Sequence, residues 1–195
     1  MSDQVHAPDE QAVAVAAPSW IPHHDAIEQL WRVGLFSADD AHALRQVWRI
    51  LKGQTDDYLD RLFGMAAAYP PLCAQLNRLR DGIRGREPSV DAATMRRWFR
   101  RWLFETCLFP QDLPWLRQLP IELAPEPSTS AIPLPLPEFR YVIALAFPLV
   151  LTARPFFVAN GGDHQEIERL QQALLKAVLL QTALLGKLYV KDGLW

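Results

Sequence analysis

The chain has 195 residues, enough for one domain, and half of them are hydrophobic. This composition excludes a wholly disordered chain, and the formal net charge of −2 excludes a polycation built to bind nucleic acid. Two cysteines are too few for a disulfide framework or a cysteine zinc site, which indicates reduced thiols in a cytoplasmic protein. The proline content is unusual, because eight of the 16 prolines lie between Pro110 and Pro137.

The two ends of the chain differ in composition. Residues 1–19 are small, polar and rich in alanine, so we predict a flexible tail there, followed by one domain over residues 20–195. No basic segment followed by an apolar core occurs near the N-terminus, and we expect no signal peptide. The longest uninterrupted apolar run, at about residues 141–151, is too short to span a bilayer. We therefore expect no membrane segment.

Three helices are predicted in the first third of the chain. The first runs from Pro22 to about Val33 and ends before a glycine. Ser37 is a typical N-cap for the second helix, whose apolar residues recur at spacings of three and four. The third helix begins at Thr55 and carries an apolar face comprising Leu59, Leu62, Phe63 and Ala66. The sequence Tyr69-Pro70-Pro71 ends it.

The clearest amphipathic helix begins at Asp91. Its apolar face comprises Met95, Trp98, Phe99, Trp102, Leu103 and Thr106, and its basic residues are Arg96, Arg97, Arg100 and Arg101. We interpret these arginines either as a solvated face or as an anion-binding surface for an acidic protein partner. The aromatic residues lie opposite the arginines in this pattern, which disfavours nucleic acid as the partner.

Two long apolar helices are predicted to close the chain. The first runs from about 137 to 158, and Pro148 and Pro155 are expected to bend it rather than end it. The second runs from about 164 to 188, with Asp163 and Glu166 as a capping box. Its apolar stripe is wider than one buried face, which suits a dimer. No segment alternates with a period of two, so the chain is predicted to be all-α.

Sequence motifs for catalysis are absent. The chain has no phosphate-binding loop, no GxSxG elbow and no HExxH motif. The acidic pairs Asp39-Asp40 and Asp56-Asp57 fall in the first turns of predicted helices, where the helix dipole explains them. We therefore predict that the chain is not an enzyme.

The order of these features along residues 22–195 resembles the protoglobins, single-domain relatives of globin-coupled sensors. The resemblance is densest in the last two predicted helices and in the C-terminal block. The residues that carry it are Leu35-Phe36, Asp39-Asp40, Leu62-Phe63-Gly64, Arg97, Phe99, Arg101-Trp102, Thr106, Trp115-Leu116, Arg140-Tyr141-Val142-Ile143-Ala144, Phe147-Pro148, Thr152-Ala153, Pro155-Phe156, Glu166-Ile167-Glu168, Lys176-Ala177, Leu180-Gln181, Ala183-Leu184 and Tyr189-Val190-Lys191-Asp192-Gly193-Leu194-Trp195.

The resemblance implies a globin fold, with helices packed three-on-three and an extra N-terminal helix. It further implies haem that takes O2, CO or NO, and a homodimer formed through the last two helices, at about 137–158 and 164–188. The apolar pocket would be lined by Leu62, Phe63, Met95, Phe99, Trp102 and Phe147.

The chain departs from the family where the iron should be held. The family's proximal histidine lies on the helix before the last two, but the proline-rich segment 110–137 replaces that helix and contains no histidine. Leu62-Phe63 stands where the family usually has Trp-Tyr, so the hydroxyl that would donate to bound O2 is missing. We therefore expect a haem-free globin, or one that holds haem by an atypical ligand such as Met95. The alternative is a haem-free helical module that binds an apolar small molecule or a partner protein.

Overall fold

The computed structural model describes residues 24–75, 77, 92–112, 114–116 and 138–189. This part of the chain is mostly helical and contains no strand, which confirms the all-α prediction. The helices are α1 (His24–Val33), α2 (Ala38–Leu51), α3 (Thr55–Ala67), α4 (Ala92–Leu108), α5 (Phe139–Leu151), α6 (Arg154–Ala159) and α7 (His164–Leu185). Short helical segments lie at residues 70–75 and 114–116, and a 3-10 turn at Gly186–Leu188 follows α7. The predicted tail at 1–19 and residues 117–137 of the proline-rich segment lie outside the described residues.

Local capping determines where α2 and α7 begin. Ser37 and Asp40 form a complete capping box: the Ser37 Oγ accepts from the Asp40 N–H, and Asp40 Oδ2 accepts from the Ser37 N–H at 2.8 Å. Asp163 Oδ1 accepts from the Glu166 N–H at 2.8 Å at the start of α7. Each cap satisfies backbone donors that have no partner within the helix. Both predicted N-caps are confirmed, but at α7 only the Asp163 half of the predicted capping box is formed.

Helix α7 packs against four of the other helices. It makes its most extensive contacts with α2 and α5, and it also touches α4 and α6. Its residues Leu170, Leu174 and Leu184 are fully buried. At the corner between α1 and α2, a Cβ on Gly34 would lie 2.7 Å from the Leu180 side chain, so the backbone there approaches α7 closely. The wide apolar stripe of α7 is therefore used largely inside the chain.

The apolar segment before α7 is divided into two helices rather than bent. Pro148 is tolerated inside α5, but the helix stops after Leu151 and α6 begins at Arg154 with Pro155 in its first turn. Proline has no N–H, and its ring conflicts with the carbonyl four residues earlier, so Pro155 fits the first turn of α6, where no partner within the helix is needed. The expectation that Pro155 merely bends one helix was therefore wrong.

The interruption is closed by a side chain from α3. The Ala153 N–H donates to the Val150 carbonyl at 3.2 Å, as in a tighter 3-10 turn. The Leu149 carbonyl instead accepts a hydrogen bond from the hydroxyl of Tyr58 at 2.9 Å. Tyr58 is fully buried, and its ring meets Phe156 edge to face. This contact ties α3 to the junction between α5 and α6.

Candidate functional site

Five of the six predicted pocket residues, carried by α3 and α4, belong to the core or pack against it. Leu62, Met95, Phe99 and Trp102 are buried members of the continuous core, and Phe63 is half-buried against it. The rings of Phe63 and Phe99 lie 5.3 Å apart at 86°, an edge-to-face contact. The side chains of α3 and α4 thus pack directly on one another at this point.

Two tryptophans extend this aromatic cluster. Trp98 contacts Phe99 with ring centroids 5.1 Å apart, and it contacts Trp115 at 6.0 Å. Trp115 lies in the short helical segment after α4 and is 5% exposed. Sequence reasoning did not place Trp115 in the pocket lining. An aromatic residue directly after a proline-marked turn was the available signal, since such a turn folds the chain back on the preceding helix.

The sixth predicted lining residue, Phe147, was assigned wrongly. Its side chain is 65% exposed on α5, where it lies between Ile143 and Leu151 at four-residue spacings. Because α5 is apolar on nearly every side, periodicity alone did not distinguish its core face from its outer face. Its core face comprises Ala146, Leu149 and Val150.

The polar atom of Trp102 is engaged within the core. Its indole Nε1 donates to Gln181 Oε1 at 3.1 Å, and Gln181 Nε2 donates to Thr106 Oγ1 at 3.1 Å. All three residues are buried, and the network joins α4 to α7. Its donors are directed at other protein groups, so the network fixes helix packing rather than presenting free groups to a ligand.

The haem expected from the resemblance needs a histidine, cysteine, methionine or tyrosine as iron ligand. The histidines in the described residues are all exposed: His24, His42 and His164. Cys107 is fully buried, and burial raises the pKa of its thiol far above the ordinary value, which disfavours a thiolate ligand. The hydroxyl of Tyr58 is bound to the Leu149 carbonyl. Met95 is buried in the core with the aromatic residues and offers a thioether sulfur. These donors do not fit a histidine-ligated haem.

No metal centre replaces it in the described ranges. Within them, no group of three or more histidine, cysteine or acidic side chains stands close enough to hold a metal ion. Two acidic residues of α3, Asp56 and Asp60, instead pair with arginines of α4.

The predicted arginine surface is paired within the chain. Arg96 binds Asp60, and Arg100 binds Asp56 with Nη2 and Oδ1 2.5 Å apart, both across to α3. Arg101 Nε binds Glu105 Oε1 at 2.7 Å on α4 itself. Exposed ion pairs of this kind contribute about 0–1 kcal/mol each. These pairs nevertheless give Arg96, Arg100 and Arg101 carboxylate partners within the chain. The sequence alone had allowed these arginines to be an unoccupied anion-binding surface.

One aromatic residue lies on the arginine face. Phe104 follows Arg100 and Arg101 by one turn and is 37% exposed. The expectation that all aromatic residues of this helix lie opposite the arginines was therefore wrong. Phe104 also meets Trp48 of α2, with ring centroids 5.2 Å apart.

The outer face of α5 is the other notable surface. Ile143, Phe147 and Leu151 are 49%, 65% and 49% exposed and form one stripe, because residues four apart share a helix face. By length and composition alone, the stretch Phe139–Ala159 would reach across a membrane, a test that core helices of soluble proteins also pass. In the most apolar window of this stretch, 28% is buried inside the protein. The exposed apolar surface of α5 is therefore a candidate interaction surface.

Comparison with known proteins adds no assignment. No family model matches the chain, and no curated protein sequence matches it. The protoglobin relationship therefore stays a prediction based on the residues quoted above.

Proposed function

We propose that the chain is a haem-free, globin-like helical module that acts by self-association through α5. The observation that carries this proposal is the stripe of Ile143, Phe147 and Leu151, three large apolar side chains that remain about half or more exposed on one helix face. Rows of exposed apolar side chains on a soluble domain mark interaction surfaces. The partner is a second copy of the chain.

Two features support a second copy as the partner. A helix face pairs with its own copy about a two-fold axis, so that one stripe supplies both sides of the interface. Further apolar side chains are exposed on the helices that follow, with Val158 of α6 at 52% and Leu179 of α7 at 45%. The resemblance stated above predicts a dimer through the same region of the sequence.

The haem-free part of the proposal is supported by the chemistry of the donors. The segment that should carry the proximal histidine has none, and the described histidines are exposed. The rings of Phe63 and Phe99 pack edge to face between α3 and α4, where the resemblance would place the haem pocket. An absorbance titration with haemin should therefore develop no Soret band of bound haem. A stoichiometric Soret band would contradict this part of the proposal.

Sedimentation equilibrium tests self-association. The wild-type chain is expected to be a dimer, and Phe147→Glu is expected to be a monomer because it places a charge in the interface. Tyr69→Glu is the matched control: Tyr69 is an aromatic residue of similar exposure, 61%, but lies in the turn after α3, so this variant should remain dimeric. Circular dichroism should show equal helix content in all three proteins.

Two results would contradict the proposal. One is a wild-type chain that stays monomeric up to about 1 mM, the concentration scale of a negligible affinity. The other is a Phe147→Glu variant that dimerises as tightly as the Tyr69→Glu control.

A further inference from the structure

A second surface, between α2 and α4, combines aromatic rings with unpaired cations. Trp48, Phe104 and Phe109 form a row, with ring centroids 5.2 Å and 6.0 Å apart. Phe104 is 37% exposed and Phe109 is 43% exposed, while Trp48 is half-buried beneath them. We call this row and the cations beside it the aromatic–basic face. It lies on different helices from the α5 stripe.

The cations of this face come mainly from α2. Arg45 and Lys52 lie one turn before and one turn after Trp48, and Arg49 lies one turn after Arg45 and one turn before Lys52, so the three cations form one row. The side chains of all three are exposed. Within the part of the chain that the structure describes, none of the three side chains has an ion pair or a hydrogen bond.

The acidic groups near this face do not cancel its charge. Asp56 is bound to Arg100 and Glu105 is bound to Arg101, so each neutralises an arginine of α4. Asp57, in the first turn of α3, and Asp112, in the turn after Phe109, are exposed. The three α2 cations therefore still exceed the two remaining carboxylates, and the face is complementary to an acidic partner.

We propose that the aromatic–basic face docks an acidic amphipathic segment of a partner protein, with carboxylates that meet Arg45, Arg49 and Lys52 and apolar anchors that cover Phe104 and Phe109. Aromatic residues and arginine are enriched at the centres of protein interfaces. Removing water from exposed rings gives affinity, and the surrounding cations select the charge of the partner.

The ring geometry favours a protein over a single-stranded nucleic acid. Neighbouring rings meet at 72° and 69°, so each ring directs its edge at the face of the next. Successive bases need open ring faces on which to stack, and this edge-to-face row does not present a series of them. Apolar side chains of a protein fit ring edges and faces equally well.

Fluorescence anisotropy with defined probes tests the proposal. The first probe is a labelled synthetic helix with glutamate on one face and leucine on the other. The second has lysine in place of glutamate, the third has serine in place of leucine, and the fourth is oligothymidylate. The full-length chain should bind the first probe at least about tenfold more tightly than any of the others, a difference typical of one interface hot spot.

Variants show whether binding occurs at this face. Arg49→Glu and Phe104→Ser should each weaken binding of the acidic probe by about tenfold. The controls Arg32→Glu on α1 and Tyr69→Ser in the turn after α3 change exposed residues away from both proposed surfaces and should bind as the wild type does. Arg49→Glu is a surface charge change that keeps the fold, so the test stands even if Phe104→Ser lowers stability.

Three outcomes would overturn the inference. They are no binding of the acidic probe, equal binding of the lysine probe, and tighter binding of oligothymidylate than of the acidic peptide. Binding that is lost in Phe147→Ser but kept in Arg49→Glu would instead place the peptide on the self-association surface, and it would likewise overturn the assignment to the aromatic–basic face.

Discussion

The hydrogen bond from the Tyr58 hydroxyl stabilises the junction between α5 and α6, and removing this hydroxyl tests its contribution directly. In Tyr58→Phe the ring and its contact with Phe156 are kept, and the hydrogen bond to the Leu149 carbonyl is lost. A buried acceptor left without its donor costs about 1–3 kcal/mol. Thr152 Oγ1 lies 3.4 Å from the same carbonyl while donating to the Pro148 carbonyl at 2.7 Å, and it compensates only in part. We therefore expect a loss of about 1–2 kcal/mol in the free energy of unfolding.

Urea denaturation followed by circular dichroism measures this loss. The urea concentration at the midpoint of unfolding should fall. The slope of the free energy of unfolding against urea concentration should stay the same, because the surface exposed on unfolding is unchanged. Tyr69→Phe removes a hydroxyl from a tyrosine that is 61% exposed, and it should leave the free energy of unfolding unchanged. If Tyr58→Phe matched Tyr69→Phe in stability, the hydrogen bond would not hold the junction of α5 and α6, and the reasoning would fail.

Two further substitutions test other contacts. Gly34→Ala should lower the free energy of unfolding by about 1–2 kcal/mol, because the new Cβ would lie 2.7 Å from the Leu180 side chain. The control Gly53→Ala should leave it unchanged in the same urea assay, because a Cβ there would have no atom within 4 Å. Burial by itself raises the pKa of the Asp40 carboxyl. The hydrogen bonds it accepts, of which the one from Lys176 has the largest effect, outweigh burial, so its pKa lies below the ordinary value of 3.8. A lowered pKa gives stability that is present above pH 3.8 and lost as pH falls through the folded-state pKa. Below pH 3.8, the free energy of unfolding should therefore fall less steeply with pH in Asp40→Asn than in the wild type. Parallel plots of this free energy against pH for the two proteins would contradict the assignment.

Much of the candidate site could be predicted from the sequence because α4 is strongly amphipathic. Met95, Phe99 and Trp102 share one face at helical spacing, and the structure buries all three. Phe147 was placed wrongly because α5 is apolar around most of its circumference, so no polar face marks its outer side. The partners of the arginines were equally hidden: Arg96 and Asp60 are 36 residues apart, and only the packing of α3 on α4 brings them together.

The sequence by itself determined what depends on neighbours within one helical turn. The all-α class follows from the apolar periodicity, and the starts of α2 and α7 follow from Ser37 and Asp163, whose cap bonds reach three residues along the chain. The tertiary structure alone decided what depends on distant segments meeting. The hydroxyl of Tyr58 reaches a carbonyl 91 residues away, and Trp48 joins Phe104 from another helix. Local patterns specify helix faces, but which faces meet depends on how the helices pack on one another.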